Sequence, residues 1–276
     1  MKKLSIIILN YNTAAMTLKA LAACRMASEG IDYEVILVDN ASTEPFTPPH
    51  DDRIIFIRTE KNFGFAGGVN RGLAKAGGEY IVLLNSDVIV PINFSKDLIA
   101  SLEKNTADIV GPRFNYPNGS FQPSCGFFPT IARELIRFSM LGKIIGGGTL
   151  IYKNSITAPF FKKAQSVDWV SGGCLLAKRE VLSEGLDERY FFGVEDFDLC
   201  FQTKKKGGVI VYDPSVSVIH YHGFSSGGRR STASLANESR GMDYFLNKNY
   251  PANVYLRKIV ALLYRFKIAI LRLFGL

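Results

Sequence analysis

Apolar blocks punctuated by short polar clusters dominate the first third of the chain. Residues 4–9 form an isoleucine-rich run, and residues 34–39, 54–57 and 80–84 repeat the type. Such near-continuous runs are what strands buried on both faces look like. Helical stretches are expected between them at residues 13–27 and 67–76. Strands alternating with helices predict an α/β fold: a Rossmann-like, mostly parallel sheet flanked by helices and joined by right-handed crossovers. Ligands of such sheets bind beyond the carboxyl ends of the strands. Three runs end there on polar side chains, at Asn10 and Asn12, at Asp39 and Asn40, and at Asn85 and Asp87.

The middle is less regular. Asn118-Gly119 within residues 114–122 signals a hairpin turn. Residues 142–149 hold four glycines and read as a loop. Extended, apolar character returns at 167–178 around Gly172-Gly173, and residues 195–206 read as a helix closed by Gly207. Two strands, 209–213 and 216–221, are expected to join through Pro214. Residues 223–241, rich in glycine and serine and carrying Arg229, Arg230 and Arg240, read as a flexible loop.

Charge changes this picture at one end only. Lys248, Arg257, Lys258, Arg265, Lys267 and Arg272 follow Asp243 with no acidic residue among them; the +8 total less these six leaves +2 for the body. That argues against a chain-wide nucleic-acid surface. Past Pro251, Arg257, Lys258, Arg265 and Arg272 fall within about 100° on a helical projection, with apolar residues filling much of the rest. The pattern fits a helix lying on anionic lipid, or alternatively one packed on the catalytic body or a partner. No run reaches the roughly 20 apolar residues of a spanning helix, and no signal peptide is expected at residues 4–9. The four dispersed cysteines suggest neither zinc nor a disulfide framework, consistent with a reducing compartment.

Several residues carry chemistry that stays open on pattern alone. Asp39 either binds a nucleoside edge or caps a turn. The segment from Asn62 to Asn70, with Gly64, Gly67 and Gly68, is either an anion-binding helix start or a tight packing turn, and is neither a P-loop nor G-x-G-x-x-G. Asp87 at a strand end suits a hard divalent cation, or is a solvated turn aspartate. Glu195, Asp196 and Asp198 cluster behind an aromatic run; mutual repulsion and an apolar surround raise one pKa toward that of a general base, unless the acids serve only the helix dipole. His220 and His222 share a face of the last strand and offer a nitrogen ligand beside Asp87, or are structural.

Six segments in order carry a resemblance: residues 5–12, 38–42, 62–70, 84–87, 193–200 and 220–225. Together they resemble the family-2 inverting glycosyltransferases, closest to the rhamnosyltransferase-like branch, over roughly residues 3 to 230. The resemblance implies a GT-A fold and transfer of a sugar from a nucleotide-diphosphate donor to a saccharide or lipid-linked saccharide acceptor. It implies that Asp39, with Asn10 and Asn12, binds the nucleoside, that Asn62, Gly67, Gly68 and Asn70 line the nucleotide pocket, and that Asn85-Ser86-Asp87 stands in place of Asp-x-Asp. Asp87 and His220, with His222 as fallback, would hold Mg²⁺ or Mn²⁺, and Asp196 would be the base. Trp169, Gly172, Gly173 and Glu195 fall on the acceptor side. The expected organisation is a catalytic domain at 1–243, halved at 111/112, and a membrane-associating helical tail at 244–276, in a cytoplasmic, peripheral protein. The competing expectations are an inactive sugar-nucleotide-binding or assembly protein of the same fold, and a nucleotidyltransferase, which the missing Arg-containing glycine loop after Leu9 disfavours.

Overall fold

A computed structural model describes residues 3–44, 46–138, 160–221 and 232–273. Its main sheet runs in the order β3 (Ile54–Arg58), β2 (Tyr33–Asp39), β1 (Leu4–Asn10), β4 (Tyr80–Asn85), β11 (Cys174–Lys178), β6 (Ile109–Asn115), β12 (Ile210–His220) and β5 (Val88–Ile89). Two short strands, β7 (Phe121–Gln122) and β9 (Gln165–Ser166), pair with β6 and β12, while β8 (Cys125–Gly126) and β10 (Trp169–Val170) form a separate ribbon. Strands β1 to β4 are mutually parallel, and β11 enters antiparallel between β4 and β6.

Side chains alternate between two cores. Leu4, Ile6 and Ile8 of β1 join Val35 and Leu37 of β2 on one face, under α1 (Ala14–Ala27) and α3 (Phe94–Lys104). Ile7, Ile36 and Val38 face the other core, under α2 (Gly64–Leu73) and α5 (Glu195–Lys205). This double burial is why the runs read as continuous rather than alternating. The fold class follows the sequence expectation, while α3, β6 and α4 (Ile131–Phe138) were not marked by the pattern.

The structure corrects three local expectations. First, α2 begins at Gly64, not residue 67, and ends at Leu73. Second, the two strands around Pro214 are one, β12, whose register against β6 shifts between Asp213 and Ser217. Proline donates no amide, and the irregularity absorbs it without ending the strand. Third, residues 232–241 belong to a helix, α6 (Thr232–Asn249), and are not loop. Leu235, Met242, Phe245 and Leu246 bury against Tyr190, Val194 and Phe197, and against Leu256, Val260 and Tyr264 of α7 (Val254–Leu273). Packing thereby overrides weak helical propensity. Gly241 is a contact point here: a Cβ would lie 2.9 Å from the Gly193 carbonyl oxygen. The boundary drawn at residue 243 falls inside α6. Residues 142–149, His222, Arg229 and Arg230 lie outside the described residues.

The N-terminus of α2 is held against the segment preceding α5. The Phe65 amide donates to the Phe191 carbonyl at 2.8 Å. Gly64 has φ +74°, and a Cβ there would sit 2.2 Å from that same oxygen. Gly64→Ala should therefore lose about 2 kcal/mol or more, a fall of roughly 4–8 °C in melting temperature. An unchanged melting curve would show that the backbone contact yields easily.

Candidate active site

Register builds the site. Asn10 pairs with Asp39 across β1 and β2, and Leu9 pairs with Asn85 across β1 and β4, so three polar strand ends finish at one level. The Asn10 amide donates to Asp39 Oδ1 (2.9 Å) and Ser42 Oγ (3.1 Å). Its oxygen accepts from the Thr13 hydroxyl (3.0 Å) and Thr17 hydroxyl (2.9 Å). Thr13 Oγ1 in turn shares a 2.8 Å hydrogen bond with the Ser86 hydroxyl. Asp39 is fully buried and also accepts from Ser42 and Arg58. Asn12, at φ +57°, accepts from the Thr43 amide at 2.8 Å.

Asp87 and His220 meet at the far side of this rim. His220 Nε2 lies 3.3 Å from Asp87 Oδ1, and both side chains are about nine-tenths buried. The backbone fixes the pair, because Tyr221 N donates to the Asp87 carbonyl at 2.9 Å and His220 pairs with Val88. Gln122 sits behind the ring, its Nε2 3.1 Å from His220 Nδ1 and its buried Oε1 without a partner. Rotating the Gln122 amide by half a turn gives that orphaned oxygen a partner in the imidazole. With the oxygen turned inward it accepts Nδ1–H and leaves the Nε2 lone pair directed at Asp87, the outer-shell arrangement that ligating histidines use. One carboxylate and one imidazole suit Mg²⁺ or Mn²⁺, which are held by few protein ligands.

Asp196 reaches the same rim from α5. Its Oδ2 accepts from the Gly172 amide at 2.7 Å and its Oδ1 from the Phe197 amide at 2.8 Å. A Cβ on Gly172 would stand 3.0 Å from Asp196 Cβ, so glycine permits the approach. The neighbouring Gly173 carbonyl accepts the Asn85 amide at 2.9 Å. A continuous network thus runs from Asp39 through Asn10, Thr13 and Ser86, and from Asn85 through Gly173 and Gly172 to Asp196. Burial raises the Asp196 pKa against the lowering effect of those amides. Glu195 is pushed up to about 8, first by burial and then by the charge of Asp196; one oxygen, Oε2, has no partner.

Other singled-out residues have different surroundings. At the start of α2, the Phe63, Gly64 and Phe65 amides go to Asn40, Asn62 and Phe191, so those donors are already used. A Cβ on Gly68 would strike Leu9 at 2.4 Å, and one on Gly67 would lie 2.7 Å from Phe63 Cβ; these glycines provide close packing. The Asn70 amide clamps Leu186 (2.9 and 2.7 Å) and Glu188 (3.0 Å), and Asn70 lines a cavity of about 860 Å³ with Glu79, Tyr80 and Arg179. Trp169 packs on Phe197 with ring centroids 5.2 Å apart. The pattern did not single out Arg58 and Gln122 for the site. Nothing local marks either; their partners lie 19 and 98 residues away.

Comparison with known folds defines the class. The chain resembles the mannosyltransferase PcManGT from Pyrobaculum calidifontis in complex with GDP-Man and Mn2+ (TM-score 0.60, 18% identity, 95% of this chain and 70% of that one). It also resembles S. aureus TarS in complex with UDP (TM-score 0.54, 15% identity, 89% of this chain and 65% of that one). The architecture is GT-A. Residues 5–185 match the family described as Glycosyl transferase family 2, and the chain belongs to it. Over 262 residues it is 29% identical to the N-acetylglucosaminyl-diphospho-decaprenol L-rhamnosyltransferase of Mycobacterium tuberculosis, covering 88% of this chain and 83% of that protein.

Glu195 generates a pH prediction. Its folded pKa is raised from 4.5 to about 8, so its stabilising contribution is complete below 4.5 and lost as pH rises through 8. Glu195→Gln keeps an oxygen for the local amides but cannot ionise. Its melting temperature should not share the wild-type decline across that window, and should exceed wild type above pH 8. Parallel melting-temperature profiles would remove the buried-acid assignment.

Proposed function

We propose that this family-2 glycosyltransferase is an inverting enzyme that moves a sugar from a nucleotide-diphosphate donor to a hydroxyl of a saccharide or lipid-linked saccharide. Rhamnose is the sugar favoured by the likeness to a protein named as a rhamnosyltransferase. The observation that carries the mechanism is the path from Asp196 through the Gly172 amide and the adjoining Gly173 carbonyl to Asn85, which sets a partly buried carboxylate near the strand end that precedes Asp87.

Asp196 accepts the acceptor hydroxyl proton as that oxygen bonds to the anomeric carbon. The bond from that carbon to the diphosphate oxygen breaks on the opposite face, so the configuration inverts. The Gly172 and Phe197 amides orient the Asp196 carboxylate, while burial supports its proton affinity. Asp87 and His220 would hold Mg²⁺ or Mn²⁺, which when bound supplies charge neutralisation to the departing diphosphate. Asp39, with Asn10 and Asn12, shapes the nucleoside end of the rim; Trp169 and Glu195 belong to the acceptor half.

Membrane contact through α7 completes the proposal. Leu256, Val260 and Tyr264 bury one face of α7 in the body. Tyr255 (77% exposed), Leu262 (66%), Phe266 (62%) and Leu273 (83%) form an open stripe on another. Lys258, Arg265 and Arg272 run alongside it, also exposed. An apolar stripe edged with cations suits an anionic lipid surface, and no helix among the described residues is long and apolar enough to cross a membrane. The proposed setting is the cytoplasmic face of a membrane, in cell-surface polysaccharide assembly.

Two experiments test this. With nucleotide-diphospho-rhamnose and other nucleotide sugars as donors, Asp196→Asn should lower turnover by about 10²–10⁴ yet keep the Mn²⁺-dependent thermal shift given by donor. Asp87→Asn should lose that shift. Near-normal turnover in the first variant removes the base, and an intact shift in the second removes the metal site. Separately, Leu262→Glu/Phe266→Glu should abolish co-sedimentation with phosphatidylglycerol vesicles while leaving the melting temperature within a degree or so; unchanged sedimentation would overturn the lipid contact.

A further inference from the structure

Lys248, near the end of α6, reaches into the segment that carries Asp196. Its ammonium lies 2.6 Å from Asp198 Oδ2 and 2.9 Å from Asp187 Oδ2, and both carboxylates are nearly buried. Asn249, the next residue of α6, donates to Asp198 Oδ1 at 2.9 Å, and Tyr244 donates to Asp187 at 3.1 Å. Two turns before Lys248, Gly241 rests on Gly193 and Val194, where α5 begins. The C-terminal hairpin therefore grips both ends of residues 187–198. Asp198 lies two residues beyond Asp196, in the same first helical turn.

We propose that Lys248 is a positioning residue for transfer: it neutralises Asp187 and Asp198, so that the first turn of α5 holds Asp196 on the Gly172 amide in its ionised, proton-accepting form. The inference rests on Asp196 being the base. The electrostatic balance is local. Glu195, Asp198 and the Cys200 thiol face this region from α5, the Gly172 amide from the β10–β11 turn, and Asp187, Arg189 and Tyr190 from the preceding segment. Tyr244 and Lys248 face it from α6, while Arg71 and Glu188 pair with each other beside α2. Burial opposes the charge on Lys248, but hydrogen bonds to Asp198 and Asp187 outweigh it and raise the Lys248 pKa. Burial likewise opposes the charge on Asp187, and hydrogen bonds from Arg189 and Lys248 outweigh it, holding that carboxyl below its usual range. Removing the ammonium leaves uncompensated negative charge in the first turn of α5, two residues along from Asp196, which then keeps its proton to higher pH.

The test is the Asp196 carboxyl titration in full-length protein labelled with ¹³Cγ-aspartate, the signal assigned by its absence in Asp196→Asn. Lys248→Met should move the midpoint up by about one pH unit, and Lys248→Arg should restore it. Asp198→Asn, with Lys248 in place, should move it down. The opposite signs separate charge compensation from mere packing, and the Asp198→Asn measurement stands even where Lys248→Met does not fold. Midpoints that stay fixed, or that move in the same direction in both variants, overturn the proposal. Turnover retained by Asp196→Asn would instead remove the base on which it rests.

Discussion

In-register parallel pairing of β1 with β2 and β4 is the constraint on which the rest depends. A slip by one residue would turn every side chain of β1 to the other face and break the level at which Asn10, Asp39 and Asn85 finish. Close packing of the β1 side chains on both faces opposes the slip, because each fills its own place among the helices. The packing of the strands thus fixes the height of polar groups that contribute nothing to the core.

Two carboxylates, Asp39 and Asp87, are buried at that rim, and the structure satisfies them differently. Asp39 is surrounded by donors from Asn10, Ser42 and Arg58. Asp87 faces an imidazole backed by Gln122. Buried charge costs free energy unless it is paired or hydrogen-bonded. The rim is therefore a place where a cation or a proton finds acceptors already oriented, which is the general requirement of a catalytic site.

Glycines make the second half of the rim accessible. Gly172 lets Asp196 approach within hydrogen-bond distance of the backbone, and Gly64 lets α2 meet Phe191. The C-terminal hairpin then packs on the same segment through Gly241 and an aromatic cluster including Phe197, Phe201 and Phe245. A helix pair with an exposed apolar and cationic stripe is thereby built onto the segment that carries Asp196, so residues of α5 and of the C-terminal helices share one core.

By itself, the sequence determined the α/β class, the strands β1 to β4, the helix at Glu195, and the positions of Asp39, Asp87, Asp196 and His220 at or beside strand and helix ends. These are local signals: apolar runs, polar terminations and helix caps within a few residues of each other. Tertiary structure alone decided that β11 inserts antiparallel, that β12 continues through Pro214, and that residues 232–241 are helical. It also decided that Gly68 packs against Leu9, that Asn70 hydrogen-bonds Leu186, and that Gln122, Arg58 and Lys248 pair with His220, Asp39 and Asp198. The physical reason is range. Propensity and periodicity act over one or two turns of chain, whereas burial and charge pairing join residues, such as Lys248 and Asp198, that only the folded sheet and its helices bring together.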